Sequence, residues 1–395
     1  MRIGLVIYGS LDTLSGGYLY DRKLVEYLRA QGDTVEVISL PWRNYAAHLA
    51  DNLRFRLPVS SVIASERRSS RPSVLRGRIE AKREKQSPIR QLDVLIQDEL
   101  NHPSLLLANR HPHPYPVISL VHHLRCSEPR PKWQNASYRA IEKKYLESVD
   151  GFIFNSQTTK SVVNELVDNE KPSIVAYPPT NRFGEAISEN EIIERAKSPE
   201  LRILFLGNVI ERKGLHTLLD ALVVGQNDIL SYRLDIVGSL TTDPVYAKAM
   251  QERVVVNRLE PALSEAEGSV VHFHGALDRE PLIEKLKAAH VLAVPSSYEG
   301  FGIAYLEGMG FGLPAIGTTA GAAAEVIADG VDGFLVSPGG ARELADRLRV
   351  LAEKREVLIR MSLAARERYL RQPKWEQTAG QIREFLQKQI AAFSV

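Results

Sequence analysis

The sequence predicts an α/β protein made of two parallel-sheet domains that face each other across a cleft. Two observations carry that reading. Short apolar runs alternate with amphipathic helical stretches in two successive passes, and 395 residues are too many for one ordinary core. Repeated strand-helix units build parallel, Rossmann-like sheets with helices on both faces, and their ligands collect at the carboxyl ends of the strands.

Taken in order, the first pass opens with RIGLVIY at 2–8. This apolar run is too short for a signal peptide and goes straight into a turn, so it reads as the first core strand. A glycine-bearing loop, Ser15-Gly16-Gly17, follows, then a helix over 20–31 and a strand over 34–40. Further strands are expected at 94–96, 117–121, 151–154 and 173–176. The polar stretch between Asn181 and Glu200 has no strand character and reads as the connection. The second pass opens at 202–206 and continues through 233–237, 270–274, 291–294 and 315–317. A last helix over 375–393 carries Ile382, Phe385 and Leu386 on adjacent faces.

Composition narrows the function classes. A charged fraction of 25% and a hydrophobic fraction of 44% are ordinary for a globular protein, and the net charge of +2 gives no global signal for nucleic acid. A single cysteine, Cys126, excludes an intrachain disulfide framework and suits a reducing compartment. No stretch approaches the ~18 apolar residues of a membrane span, so any membrane contact is peripheral. The tract 66–90, with nine basic and three acidic residues among serines, reads as a solvated loop or helix face. Alternatively it docks on anionic lipid or guides an acidic acceptor. It lacks the stacking aromatics of a single-stranded nucleic-acid platform.

The chemistry concentrates at 294–327, VPSSYEGFGIAYLEGMGFGLPAIGTTAGAAAEVI. Glu299 and Glu307 stand there with seven residues between them, across a turn, Gly300-Phe301-Gly302, that leads into a helix beginning at Ile303. Glycines let a ligand approach the backbone, and the free N–H groups of a helix start favour an anion such as phosphate. Two carboxylates beside a phosphate site would repel it if aimed at it, so they are expected to hold hydroxyl groups. A nucleoside diphosphate carrying a sugar supplies all three. In FLGNVIERKG, 205–214, Arg212 and Lys213 follow a strand that ends in glycine and are placed to bind the diphosphate. His122 and His123 end the apolar run 117–121, at the carboxyl end of a first-domain strand. His111 and His113, between prolines and without an acidic or cysteine partner at ligand spacing, are not expected to bind metal.

Segment 294–327 resembles the Glu-x7-Glu region of the retaining glycosyltransferases of family 4, which have the GT-B fold, and the similarity continues through Gly312-Leu313-Pro314, Glu325 and 332–336. The resemblance implies that Glu299 contacts the transferred sugar, Glu307 the nucleotide ribose, and the backbone of Gly300, Phe301, Gly302 and Ile303 the sugar and diphosphate. Lys213 would bind the diphosphate, with Arg212 compensating for Asn208, which replaces the arginine usual after Gly207. SGGYLYD looks like the loop that brings Gly16 and Gly17 to the diphosphate or acceptor, and His122 aligns with a histidine that contacts the sugar. The implied organisation is an acceptor domain, 1–183, onto which the helix 373–395 packs back, and a donor domain, 184–372.

The implied activity is transfer of a sugar from a UDP- or GDP-linked donor to a glycan, lipid or small-molecule acceptor. It would form an α-glycosidic bond with no metal or other cofactor, in the cytoplasm, with peripheral contact at the inner membrane face through the basic tract. Two other readings stay open: a non-catalytic nucleotide-sugar-binding subunit, which Asn208 keeps alive, and a GT-B nucleotide-sugar epimerase. A retaining glycosidase also uses two carboxylates but has no need of Arg212, Lys213 or a phosphate-binding helix start.

Overall fold

The structure is a computed structural model that describes residues 1–13, 15–52, 92–167, 170–179, 182–184, 186–225, 231–257, 259 and 270–393. The basic tract 66–90 lies outside the described residues. The first sheet holds β1 (Arg2–Tyr8), β2 (Thr34–Leu40), β3 (Val94–Asp98), β4 (Val117–Val121), β5 (Gly151–Phe154) and β6 (Ser173–Val175), in the order β2-β1-β3-β4-β5-β6. The second holds β7 (Leu201–Leu206), β8 (Tyr232–Val237), β9 (Val270–Gly275), β10 (Val291–Ala293), β11 (Ala315–Thr318) and β12 (Gly333–Val336), ordered β12-β11-β10-β7-β8-β9. Every strand pair is parallel. β3, β4 and β5 are buried along their whole length, as expected of mainly apolar strands covered on both faces.

In each sheet the chain order reverses beside the first strand, between β1 and β3 and between β7 and β10. A crevice opens at the carboxyl ends of the strands at such a reversal. The segments leaving β1, β3, β7 and β10 therefore carry the candidate site.

Four expectations are corrected in detail. The first helix spans Gly16–Ala30, so Gly16 and Gly17 form its first turn instead of a loop. Ser15 caps it by accepting the Tyr18 N–H at 3.3 Å, which offsets the poor helix propensity of two glycines. The connection contains the helix Glu189–Arg195, started by a capping box in which Ser188 and Glu191 satisfy each other's backbone N–H, with Ile192 buried in the second core. β12, not anticipated, is a four-residue edge strand paired with β11. β10 stops at Ala293, two residues before Pro295, which has no N–H to continue a ladder.

The last helix, Trp375–Phe393, buries Ala379, Ile382, Phe385 and Leu386 in the same cluster as Ile3, Leu5 and Ile7 of β1. Arg383 fixes its outer side to Asp33, Nε to Oδ2 2.7 Å. Among the described residues, no helix is long and apolar enough to cross a membrane.

Candidate active site

The carboxyl ends of both sheets border one cleft of about 360 Å³. On the second-lobe side, the chain leaves β7 through Gly207 and Asn208 into a single turn, Glu211–Lys213, while the chain leaving β10 turns at Pro295 toward Glu299. These two segments meet. Lys213 Nζ donates to Glu299 Oε1 at 2.5 Å, and Ser296 Oγ donates to the same oxygen at 2.6 Å. Arg212 Nη1 lies 3.9 Å from the other oxygen and donates to the Tyr298 carbonyl at 2.8 Å. Burial pushes the Glu299 carboxyl up, but Lys213 and Arg212, together with the hydrogen bonds from Lys213 and Ser296, bring it down to about 2. Burial lowers the Lys213 ammonium against the pull of Glu299.

Gly302, at φ +99°, occupies a left-handed conformation that a side chain would strain, and it starts the helix Ile303–Gly310 without any side-chain cap. The first N–H groups of that helix are thus available at the cleft, at the positive end of its dipole. The Phe301 side chain is buried beside Tyr177, so Phe301 offers a ligand only its backbone. Glu307, on the same helix, accepts from Arg182 Nη1 at 2.7 Å. Burial raises the Glu307 carboxyl in spite of that cation.

The first-lobe side is built from the chain after β3 and β4. Glu99 accepts the backbone N–H of His122 at 2.9 Å and of His123 at 3.4 Å, pinning the end of β4. His122 Nε2 lies 3.1 Å from Asp21 Oδ1, and Asn155 donates to the His122 carbonyl at 2.8 Å. Asp21, Asp98 and His122 are all buried and bring one ligand atom each within 4.8 Å of one another, a set compact enough for a proton or a cation. His123 meets Glu128 at 2.9 Å, and Arg212 reaches Glu128 from the other lobe at 3.7 Å. Against the effect of burial, His123, Arg212 and Arg130 bring the Glu128 carboxyl down to about 2.

The lobes touch at particular points. Gly300 lies so close to the His122 carbonyl that any side chain there would collide with it. Ser156 Oγ donates to the Gly300 carbonyl at 2.9 Å, and Gly16 faces the end of the Ile303 side chain. Glu325 of the second lobe caps the first-lobe helix Gln157–Leu166, accepting from the N–H groups of Gln157 and Thr158 at 2.9 and 2.6 Å and from the Thr158 hydroxyl at 2.6 Å.

Two family models divide this chain between them. The one described as Glycosyl transferases group 1 matches residues 187–368, and the one described as Glycosyltransferase Family 4 matches residues 20–180. The chain belongs to the glycosyl transferases of group 1.

Among curated relatives of this glycosyltransferase, a phosphatidyl-myo-inositol mannosyltransferase of Mycobacterium leprae is 27% identical over 395 residues, 97% of this chain and 95% of the relative. Other curated relatives match over shorter stretches, with 60% and 59% of their own length covered. Among solved structures, sucrose-phosphate synthase from Thermosynechococcus elongatus aligns with a TM-score of 0.75 at 20% identity, covering 99% of both chains. Anabaena HepE in complex with UDP-glucose aligns at 0.69 and 17% identity, covering 98% of this chain and all of that one. These likenesses establish the GT-B fold.

All the sequence candidates of the glycosyltransferase border the cleft: Gly16, Gly17, His122, Arg212, Lys213, Glu299, Gly300, Phe301, Gly302, Ile303 and Glu307. His113 does not; its Nδ1 bonds the Tyr115 carbonyl at 2.6 Å and its ring stacks on Tyr115. Sequence reasoning missed Asp21, Asp98, Glu99, Glu128 and Arg182. Asp98 ends β3 and Glu99 follows it, so the strand-end rule that singled out His122 would have found them. Asp21 offers no such signal, being one polar residue within an amphipathic helix.

Proposed function

We infer that this glycosyltransferase moves a sugar from a UDP- or GDP-linked donor to an acceptor hydroxyl with retention of configuration, forming an α-glycosidic bond without metal or other cofactor. The observation that carries this reading is the junction of Lys213 and Arg212 with Glu299 beside the uncapped helix start at Gly302, with Glu307 further along the same helix.

As the bond from C1 to the phosphate oxygen breaks, positive charge grows on the sugar ring and negative charge on the departing diphosphate. Preorganised donors aimed at that diphosphate supply the largest stabilisation. Lys213, Arg212 and the N–H groups after Gly302 are those donors, and they serve where another design would place a metal ion. The acceptor oxygen attacks C1 from the leaving-group face, and its proton passes to a diphosphate oxygen. Glu299 then orients the sugar and stabilises the ring charge without becoming a nucleophile, and Glu307 holds the ribose hydroxyls. The second lobe, 184–372, takes the donor, and the first, 1–183 with the terminal helix, takes the acceptor. Closure of the lobes excludes water and aligns the two.

The name of the mannosyltransferase relative supports an acceptor in the glycan, lipid or small-molecule range. Trp42 and Trp133, 64% and 73% exposed on the first lobe, support peripheral contact with the inner membrane face from the cytoplasm.

The test incubates chelator-treated protein with UDP- and GDP-sugars and an acceptor panel, and reads the anomeric proton of the product. An α-linked product that does not depend on metal supports the reading. Donor binding with no turnover points to the non-catalytic subunit, and an epimer formed without acceptor points to the epimerase.

A further inference from the structure

We propose that Asp21 and Asp98 share one proton between their carboxyl groups and so hold the His122 ring in a single neutral tautomer, with Nε2–H donating to Asp21 and the Nδ1 lone pair available to the cleft. The role assigned to that lone pair rests on the transfer reading above. The proton arrangement does not.

The argument begins with buried charge. Asp21, Asp98 and Glu99 are 0%, 1% and 2% exposed, and among the described residues none of them pairs with a lysine or arginine. Three buried carboxylates without a cation would each carry a large desolvation cost. Glu99 is satisfied by the two backbone N–H groups of His122 and His123. Asp98 Oδ1 accepts the Leu100 N–H at 2.8 Å, and Asp21 Oδ1 takes the His122 ring. Asp21 Oδ2 is left, fully buried, with no N–H or hydroxyl donor.

The group beside it is the Asp98 carboxyl, which brings an oxygen within 4.8 Å of an Asp21 oxygen and of a His122 ring nitrogen. Two carboxyls can bond only if one carries a proton, and two carboxylates this close cannot both stay ionised. One shared proton gives Asp21 Oδ2 its donor and removes one of the two charges. Burial raises both groups, and for Asp98 the charge of Asp21 adds to it.

His122 is then determined. Burial disfavours its charged form, with Asp98 opposing. The groups facing the ring are Asp21 and Tyr20 from the first helix and Asp98 from the end of β3, none of them a base stronger than a carboxylate. Tyr20 meets the ring edge-on at 5.4 Å, and Gly17 lies against its Cδ2 side, which fixes the ring plane. With Nε2–H committed to Asp21, Nδ1 has no hydrogen-bond partner among the described residues and His122 borders the cleft. The ring therefore accepts a hydroxyl hydrogen from sugar or acceptor and does not donate. Asp21 and Asp98 are positioning residues acting through it.

The test is a two-bond proton–nitrogen spectrum of the unliganded full chain labelled at histidine, with His122→Gln to assign the signal. The expected result for wild type is a neutral ring protonated at Nε2 throughout about pH 6 to 8. Asp98→Asn should keep that tautomer, because an amide N–H replaces the shared proton. Asp21→Ala should give mixed tautomers and lower kcat by at least about tenfold while donor KM moves little. An imidazolium at pH 7, an Nδ1–H tautomer, or an unchanged spectrum in Asp21→Ala would overturn the proposal. So would broadening of the His122 signal by substoichiometric Mn²⁺, which would make the cluster a cation site. The spectrum needs no donor or acceptor, so a failed transfer assay leaves this result readable.

Discussion

Replacing Lys213 with methionine keeps most of the aliphatic side chain and removes its charge, leaving Glu299 7% exposed with Ser296 as its hydrogen-bond donor and Arg212 at 3.9 Å. Breaking a buried ion pair from one side costs about 3–5 kcal/mol. Because Arg212 and Ser296 remain, about 2–3 kcal/mol is expected here. Adding Glu299→Gln removes the orphaned charge, so the double variant should recover about half of the loss, a coupling of roughly 1–2 kcal/mol.

The pH dependence has a fixed sign. The folded carboxyl of Glu299 stands at about 2 against an ordinary 4.5, so its contribution is complete above 4.5 and fades as pH falls toward 2. The gap between wild type and Lys213→Met should therefore be widest at neutral pH and close in acid. The assay is a double-mutant cycle in urea unfolding at two pH values, beside turnover measurements. Additivity within about 0.5 kcal/mol at pH 7 would refute the pairing. Turnover should fall more steeply than stability if Lys213 also serves the diphosphate, as the proposed function has it.

Further outcomes are expected elsewhere. Glu307→Ala should weaken nucleotide binding by about tenfold to a hundredfold in calorimetry, the value of hydroxyl bonds to a carboxylate. Since burial raises that carboxyl, wild-type affinity should start to drop at a higher pH than an ordinary glutamate would give as the solution is acidified; a flat profile would remove Glu307 from the ribose. Glu325→Gln leaves the helix at Gln157 without its anion, and should cost the closed arrangement about 1–2 kcal/mol. X-ray scattering of the variant with bound nucleotide should show a larger radius of gyration than wild type, and superimposable curves would contradict this role for Glu325. The Cys126 thiol, pushed up to about 12 by burial and by Glu142, should react with a thiol reagent at pH 8 far more slowly than free cysteine does.

Much of this protein was legible because its sheets are parallel and buried. Runs such as Val117–Val121 are apolar but for Ser119, and the residues that follow them mark the cleft. Glu299, Glu307 and Lys213 could be read because their chemistry sits in short local patterns around glycine. What stayed hidden depends on chain segments far apart in sequence. Asp21 meets His122 across 101 residues and Arg182 meets Glu307 across 125, and neither has a local signature. The first helix starts ahead of the position that the glycine pair suggests, because in the fold the cap at Ser15 prevails. The helix at Glu189 was passed over although Ser188 and Glu191 form a recognisable capping box.

The central claim is that a nucleotide sugar is held by its diphosphate between Lys213, Arg212 and the helix start at Gly302. Calorimetric titration of the full chain with UDP- and GDP-sugars tests it most directly. The account predicts one-site binding of at least one donor to wild type, sharply weakened in Lys213→Met and in Glu307→Ala. Absence of heat with every donor, or equal affinity in both variants and wild type, would contradict it.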